Sequence, residues 1–173
     1  AGAWSSDDWA VAVFGGSGFD IIHSVAVDAS GNVYTTGRFN GTVDFDPGSG
    51  TANLTANGDY DVFVSKLDSS GNYVWAKNLR VNECFRCYSA RTAVAVDASG
   101  NVYTTGHFQG TADFDPGSGT ANLTSSGGED VFVWKLDSSG NYVWAKSVGG
   151  FAQRDDSGLS VAVDASGNVY TTG

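Results

Sequence analysis

The chain repeats itself with a period of 69 residues. Residues 24–79 align with residues 93–148 without a gap, and 45 of the 56 aligned positions are identical. The first fourteen residues of this unit, SVAVDASGNVYTTG, return unchanged at residues 160–173. Copies this similar must adopt one structure, and a repeat of this kind cannot bury its apolar faces alone. The sequence therefore predicts stacked units that share a core.

The repeat divides the chain into five segments. These are a partial unit at residues 1–23, a first full repeat at 24–79, a connecting loop at 80–92, a second full repeat at 93–148 and the start of a third at 149–173. Because two units are partial, we expect the chain to be incomplete as a folding unit. Its terminal strands would then pair with further repeats or with a neighbouring copy.

Each full repeat contains four predicted strands. One Asp-x-Ser-Gly-Asn segment joins the first strand to the second, and another joins the third to the fourth. Their Asp, Asn and Gly residues are typical of tight hairpin turns. In residues 61–67 valines alternate with Phe63 and Leu67, which predicts a strand covered on both faces. No stretch combines a helical period with a capping signal. In the first repeat the predicted strands are residues 24–28, 33–39, 61–67 and 73–79.

Four antiparallel strands per unit, apolar on both faces and joined by tight turns, favour an all-β fold of β-propeller type with four-stranded blades. Residues 9–14 supply an outer strand of a partial blade, so the chain contains two full blades and partial blades at both ends. A closed propeller typically needs at least about four blades. The predicted ring is therefore completed by something outside these residues.

Two strings carry a family resemblance: V-A-V-D-x-S-G-N-V-Y-x-T-G, and D-V-F-V-x-K-L-D-x-S-G-N-x-V-W-A-K followed by Gly149-Gly150. Over almost the whole chain they resemble the bacterial β-propeller repeat family known as SBBP. The resemblance implies an exported or cell-surface protein with many blades and no shared catalytic residues. Two features depart from the pattern. Arg80-Val81 replaces the glycine pair, which predicts a different path for the first inter-blade loop, and the insertion at residues 40–59 is far longer than a hairpin turn.

Charge and hydropathy exclude some partners. The chain has 19 acidic and 9 basic side chains, and its formal net charge of −10 repels phosphate backbones and anionic membrane surfaces. No apolar run approaches the roughly 20 residues of a membrane helix. We therefore expect neither nucleic-acid binding nor membrane insertion. A start at Ala1-Gly2 without any methionine suits a mature exported protein or an internal fragment.

An acidic octapeptide, Asp-Phe-Asp-Pro-Gly-Ser-Gly-Thr, occurs once in each full repeat. Its paired carboxylates beside glycines resemble an oxygen-ligand calcium loop. Because it lacks a third acid and a terminal bidentate Glu, backbone carbonyls or a distant ligand would have to complete the site. The alternative is that the carboxylates fix a turn by accepting hydrogen bonds from backbone amides. The candidate calcium ligands are Asp44, Asp46, Asp113 and Asp115.

Cys84 and Cys87 form a C-x-x-C motif in the connecting loop. Haem attachment needs a His after the second Cys, where Tyr88 stands, and a zinc site needs further ligands nearby, whereas His23 and His107 lie in other units. The remaining interpretations are a local disulfide, formed in an oxidising compartment, and a reduced or interchain pair.

Trp75 and Trp144 occupy equivalent positions in the last strand of each repeat. Exposed indoles would be able to stack on sugar rings, but the alternation of the strand favours burial in the blade core. Three segments match the N-glycosylation acceptor pattern, namely residues 40–42, 53–55 and 122–124.

Two classes of function fit these observations, and neither is enzymatic, because no catalytic constellation occurs. The first is a secreted or cell-surface structural protein that continues into further blades or polymerises into filaments. The second is a module that binds a glycan or protein through the inserted loops at residues 40–59 and 109–129. No cofactor is expected apart from calcium at the acidic loops.

Overall fold

The protein is represented by a computed structural model that describes residues 18–81, 91–150 and 156–173. These residues form fourteen β-strands with antiparallel pairing throughout, and the described ranges contain no helix. The first seven strands are β1 (Ile21–Val27), β2 (Val33–Phe39), β3 (Thr42–Asp44), β4 (Asn53–Thr55), β5 (Asp61–Leu67), β6 (Tyr73–Val81) and β7 (Ala93–Val96). The others are β8 (Val102–Phe108), β9 (Thr111–Asp113), β10 (Asn122–Thr124), β11 (Asp130–Leu136), β12 (Tyr142–Val148), β13 (Ser160–Val163) and β14 (Val169–Thr172).

The strands build two four-stranded blades and the start of a third. Blade 1 has the order β1-β2-β5-β6, and blade 2 has the equivalent order β7-β8-β11-β12. The third blade is represented by the β13–β14 hairpin. The architecture is all-β and of β-propeller type, as predicted, and β2 and β5 have the predicted bounds. The predicted outer strand at residues 9–14 lies outside the described residues.

Each insertion folds into a short β-hairpin, which the sequence reading did not predict. In blade 1 this inserted hairpin is β3–β4, and in blade 2 it is β9–β10. The β9 strand also pairs with β6 of blade 1 through Arg80↔Asp113 and Val81↔Ala112. Strand β6 has nine residues, whereas the equivalent β12 has seven. The last strand of blade 1 is therefore two residues longer than its counterpart, and the loop whose path Arg80-Val81 was expected to change lies mostly outside the described residues.

Both faces of blade 1 are apolar, and each face belongs to a different core cluster. On one face of blade 1, Phe39, Phe45 and Phe63 are fully buried and their rings meet edge-on or tilted at 5.1–6.3 Å. Val62 and Val64 lie on the other face and join a larger cluster shared with blade 2. The alternation predicted for residues 61–67 is therefore confirmed, and it lets a blade pack against neighbours on both sides.

One carboxylate organises each Asp-x-Ser-Gly-Asn turn. Asp28 Oδ1 accepts hydrogen bonds from the Ser30 and Asn32 amides at 2.9 and 3.0 Å, and Asp28 Oδ2 accepts from Asn32 Nδ2 at 2.7 Å. Gly31 adopts φ +82°, a conformation that side chains disfavour. The same bonds recur in the turns that begin at Asp68, Asp97, Asp137 and Asp164.

These turns predict that the protein loses stability in acid. In Asp28, Asp97 and Asp137 desolvation raises the carboxyl pKa, but the hydrogen bonds of the turn outweigh it and leave the pKa below its ordinary value. The Asn side chains lower the pKa of Asp68 and Asp164 directly. A depressed folded-state pKa gives stability that is present above the unfolded value of about 3.9 and lost as the pH falls through the folded value.

We therefore expect the melting temperature to hold between pH 7 and 5 and to fall steadily as the pH is lowered to 2. Calorimetry with Asp97→Asn as the comparison variant measures the effect, because this variant removes one of the titrating turns and flattens the acid slope. A melting temperature that is independent of pH between 6 and 2 would contradict the role of these carboxylates.

Candidate functional site

The acidic octapeptide connects the two strands of each inserted hairpin. Asp44 Oδ1 accepts hydrogen bonds from the Asp46 and Ala52 amides at 3.0 and 2.7 Å, and Asp46 Oδ1 accepts from the Gly48 amide at 2.8 Å. The backbone bonds from Ala52 and Asp46 hold the pKa of the Asp44 carboxyl below its ordinary value. Phe45 between them is fully buried and anchors the loop to the blade.

The same geometry recurs in blade 2. Asp113 Oδ1 accepts from the Asp115 and Ala121 amides at 3.0 and 2.8 Å, and Asp115 Oδ1 accepts from Gly117 at 2.7 Å. Within the described ranges, no three His, Cys, Asp or Glu residues converge as a metal site would require. These contacts favour the alternative in which the carboxylates fix the loop, and calcium binding stays a prediction.

A groove opens where this loop meets the turn between β5 and β6. Residues 46–50 form one wall and residues 70–73 the other, enclosing about 460 Å³. The sequence does not indicate that these two segments meet, because 19 residues separate them. The sequence does contain one indication of a shared role, because both segments have the same residues in the two full repeats.

A second surface is the blade face that carries the equivalent tryptophans. In blade 1, Trp75 is 6% exposed, and its Nε1 donates to the Ser138 carbonyl of blade 2 at 3.1 Å. The Trp75 ring meets the Tyr34 ring edge-on at 6.3 Å, and Gly140 lies so close to Trp75 that an added Cβ would come within 3.0 Å of the indole. Trp75 is therefore core, as the strand alternation predicted, and it is buried by the next blade rather than by its own.

The equivalent face of blade 2 is much less covered. Trp144 meets Tyr103 at the same 6.3 Å, so the face has the same internal arrangement, yet Trp144 is only half-buried. Val148 is 72% exposed, whereas its counterpart Leu79 is 0% exposed. We call this surface, formed by Val131, Val133, Trp144 and Val148, the open face. Identical local sequence thus gives two levels of burial, because only one copy has a full blade packed against it.

Gly140 provides a test of this interface. Gly140→Ala should destabilise the protein by more than Gly167→Ala, for which we expect about 1–2 kcal/mol from positive φ alone. Both glycines have φ near +80°, but a Cβ at Gly140 would lie 3.0 Å from the Trp75 ring and 2.9 Å from Lys77 Cε, whereas one at Gly167 meets nothing within 4 Å. Urea unfolding of the two variants measures the difference. Equal losses of unfolding free energy in the two variants would show that the turn of blade 2 does not pack tightly against Trp75.

The remaining residues of interest do not form a shared site. His23 Nδ1 lies 3.3 Å from Thr92 Oγ1, and burial holds its pKa below the ordinary value, with Arg38 and Arg91 adding to the shift. His107 pairs with Glu129 at 3.3 Å inside blade 2. The acceptor asparagines Asn53 and Asn122 are exposed, whereas Asn40 is half-buried. The Cys84 and Cys87 pair lies outside the described residues.

The four-stranded antiparallel blades and the 69-residue repeat define the chain as a β-propeller-type repeat protein. No protein-family model matches it. Among curated proteins it is similar to the uncharacterized WD repeat-containing protein L264 of Acanthamoeba polyphaga mimivirus, with 29% identity over 161 residues. The match covers 87% of this chain and 11% of the relative, so the chain spans about a tenth of that protein's length. WD repeats form four-stranded propeller blades, which agrees with the observed fold. The narrower resemblance to SBBP repeats stays a prediction.

Across the described ranges, no helix is long and apolar enough to cross a lipid bilayer.

Proposed function

We propose that this protein is a non-enzymatic structural repeat module that works outside the cell, within a larger assembly of stacked blades. The observation that carries the proposal is the contrast between the two equivalent faces. Blade 1 buries Leu79 and Trp75 against blade 2. The equivalent residues of blade 2 are less covered, since Val148 is exposed and Trp144 is half-buried. A face already arranged to receive a blade is best explained by a further blade, in a continuing array or in a neighbouring copy.

Adding strands that continue the third repeat tests the proposal directly. A copy of residues 107–148 fused behind Gly173 continues the third repeat in register, because residues 171–173 match residues 104–106. We expect the graft to fold, to raise the free energy of unfolding and to protect Trp144 from acrylamide quenching. A graft with the same composition in scrambled order is the control. If the graft leaves Trp144 as accessible as before, the proposal is wrong.

The extracellular location rests on the resemblance to exported repeats and on the C-x-x-C motif. It predicts that Cys84 and Cys87 are joined to each other in protein taken from its natural source. Mass spectrometry under non-reducing conditions checks this, and two free thiols would remove the support that the cysteines give to an oxidising compartment.

A second function, ligand binding through the inserted loops, is favoured by one specific observation. The groove between residues 46–50 and 70–73 has the size of a small-ligand site and is separate from the open face.

A further inference from the structure

The groove beside the inserted hairpin of blade 1 has the dimensions of a binding site. Its volume of about 460 Å³ lies within the roughly 300–1,000 Å³ of ligand pockets. One wall is the loop at residues 46–50, and the other is the turn at residues 70–73. Both walls are held by hydrogen bonds to carboxylates, at Asp44 and Asp68. The groove is therefore formed in advance, which lowers the entropic cost of binding.

The walls present a neutral, hydrogen-bonding surface with one carboxylate. The Ser49 and Ser70 side chains are exposed and able both to donate and to accept, and Asp46 accepts only. Tyr73 adds an aromatic side chain that is half-buried against the hairpin core. Among the described residues, neither Lys nor Arg lines the groove.

This chemistry selects the class of ligand. An anion would meet the Asp46 carboxylate without a compensating base, and the net charge of −10 would repel it further. A metal ion would find one carboxylate where calcium takes about 6–8 oxygen ligands. A neutral molecule with many hydroxyls fits, because it donates to the carboxylate, exchanges hydrogen bonds with serines and offers apolar C–H groups to an aromatic ring.

The lining is repeated in the second blade. Residues 115–119 and 139–142 have the same side chains as residues 46–50 and 70–73, although 11 other positions differ between the repeats. The loop bonds also repeat, at 2.8 Å for Gly48 and 2.7 Å for Gly117. If the residues of blade 2 form a second site, the two sites would bind a polymer more tightly than either site alone.

From this geometry we propose that the blade 1 groove binds a neutral oligosaccharide, and that the matching residues of blade 2 bind a second segment of the same polysaccharide chain. The blade 1 part of the proposal does not depend on the open face, because none of the residues that line the blade 1 groove belongs to that face.

The test begins with an array of neutral, sulfated and sialylated glycans, followed by calorimetric titration with the neutral oligosaccharide that the array retains best. We expect two sites per chain. Ser49→Trp, which fills the blade 1 groove from an exposed loop, should leave one site, and the double variant with Ser118→Trp should leave none. Ser166→Trp places the same side chain in an exposed turn outside both grooves and should bind like the original protein.

Circular dichroism and the urea midpoint establish that the variants fold, and Ser70→Trp fills the same groove from its other wall if Ser49→Trp does not. Retention of no neutral glycan, retention of charged glycans only, or titrations that the groove variants leave unchanged would overturn the proposal. A single site that Ser49→Trp abolishes would uphold the blade 1 groove and overturn its repetition in blade 2.

Discussion

Replacing Trp75 by Ala should destabilise the protein by about 3–5 kcal/mol, the usual cost of deleting a buried large aromatic side chain. The indole is 6% exposed, packs edge-on against Tyr34 and donates a hydrogen bond to the Ser138 carbonyl. Its removal leaves a cavity between two blades and an acceptor without its donor. Urea unfolding, followed by far-ultraviolet circular dichroism, gives the change in free energy.

Trp144→Ala is the matched control for this prediction. The two tryptophans have the same neighbours in sequence and the same 6.3 Å contact with a tyrosine ring, but Trp144 is half-buried. We therefore expect a clearly smaller loss of stability at Trp144. Equal losses would mean that Trp75 is held by its own blade and that the packing of blade 2 contributes little.

A second large effect is expected at Trp134, whose replacement by Ala should also cost about 3–5 kcal/mol. Trp134 is 0% exposed, and its ring meets that of Phe114 edge-on at 6.3 Å. The equivalent residue in blade 1 is Ser65, whose hydroxyl lies 2.7 Å from Thr35 Oγ1. Trp134 thus fills space inside the core that the two blades share, whereas the corresponding position of blade 1 holds a buried serine.

Ser65→Ala is the comparison for Trp134→Ala. It removes one side-chain hydrogen bond, for which we expect about 0.5–1.5 kcal/mol. Both free energies come from denaturant unfolding at one pH. A loss below about 1 kcal/mol for Trp134→Ala would contradict a core that is continuous between the blades.

The local parts of the fold could be predicted from the sequence because neighbouring residues determine them. Each Asp-x-Ser-Gly-Asn segment contains the carboxylate, the amide and the glycine that its own turn requires. The alternation in residues 61–67 likewise determines which side chains join the core shared with blade 2 and which join the core beside the inserted hairpin. The bounds of β2 and β5 and the blade order followed from these signals, whereas β1 begins three residues before the predicted strand and β6 ends two residues after it.

The contacts between distant residues could not be predicted in the same way. Strands β3 and β4 have three residues each, too few to show a period, and the pairing of β9 with β6 joins segments of different repeats. The groove arises only when the inserted hairpin folds back onto the turn at residues 70–73. Trp75 and Trp144 have the same local sequence, so their different burial depends on which blade lies beside them.

Hydrogen exchange of the tryptophan indoles, followed by NMR, tests the central claim that blades stack face to face and leave one face open. The Trp75 Nε1–H, bonded to Ser138 at 3.1 Å inside the interface, should exchange slowly. The Trp144 Nε1–H should exchange quickly, and it should become protected when residues 107–148 are grafted behind Gly173. Rapid exchange at Trp75, or equal rates at both indoles in the original protein, would contradict the account.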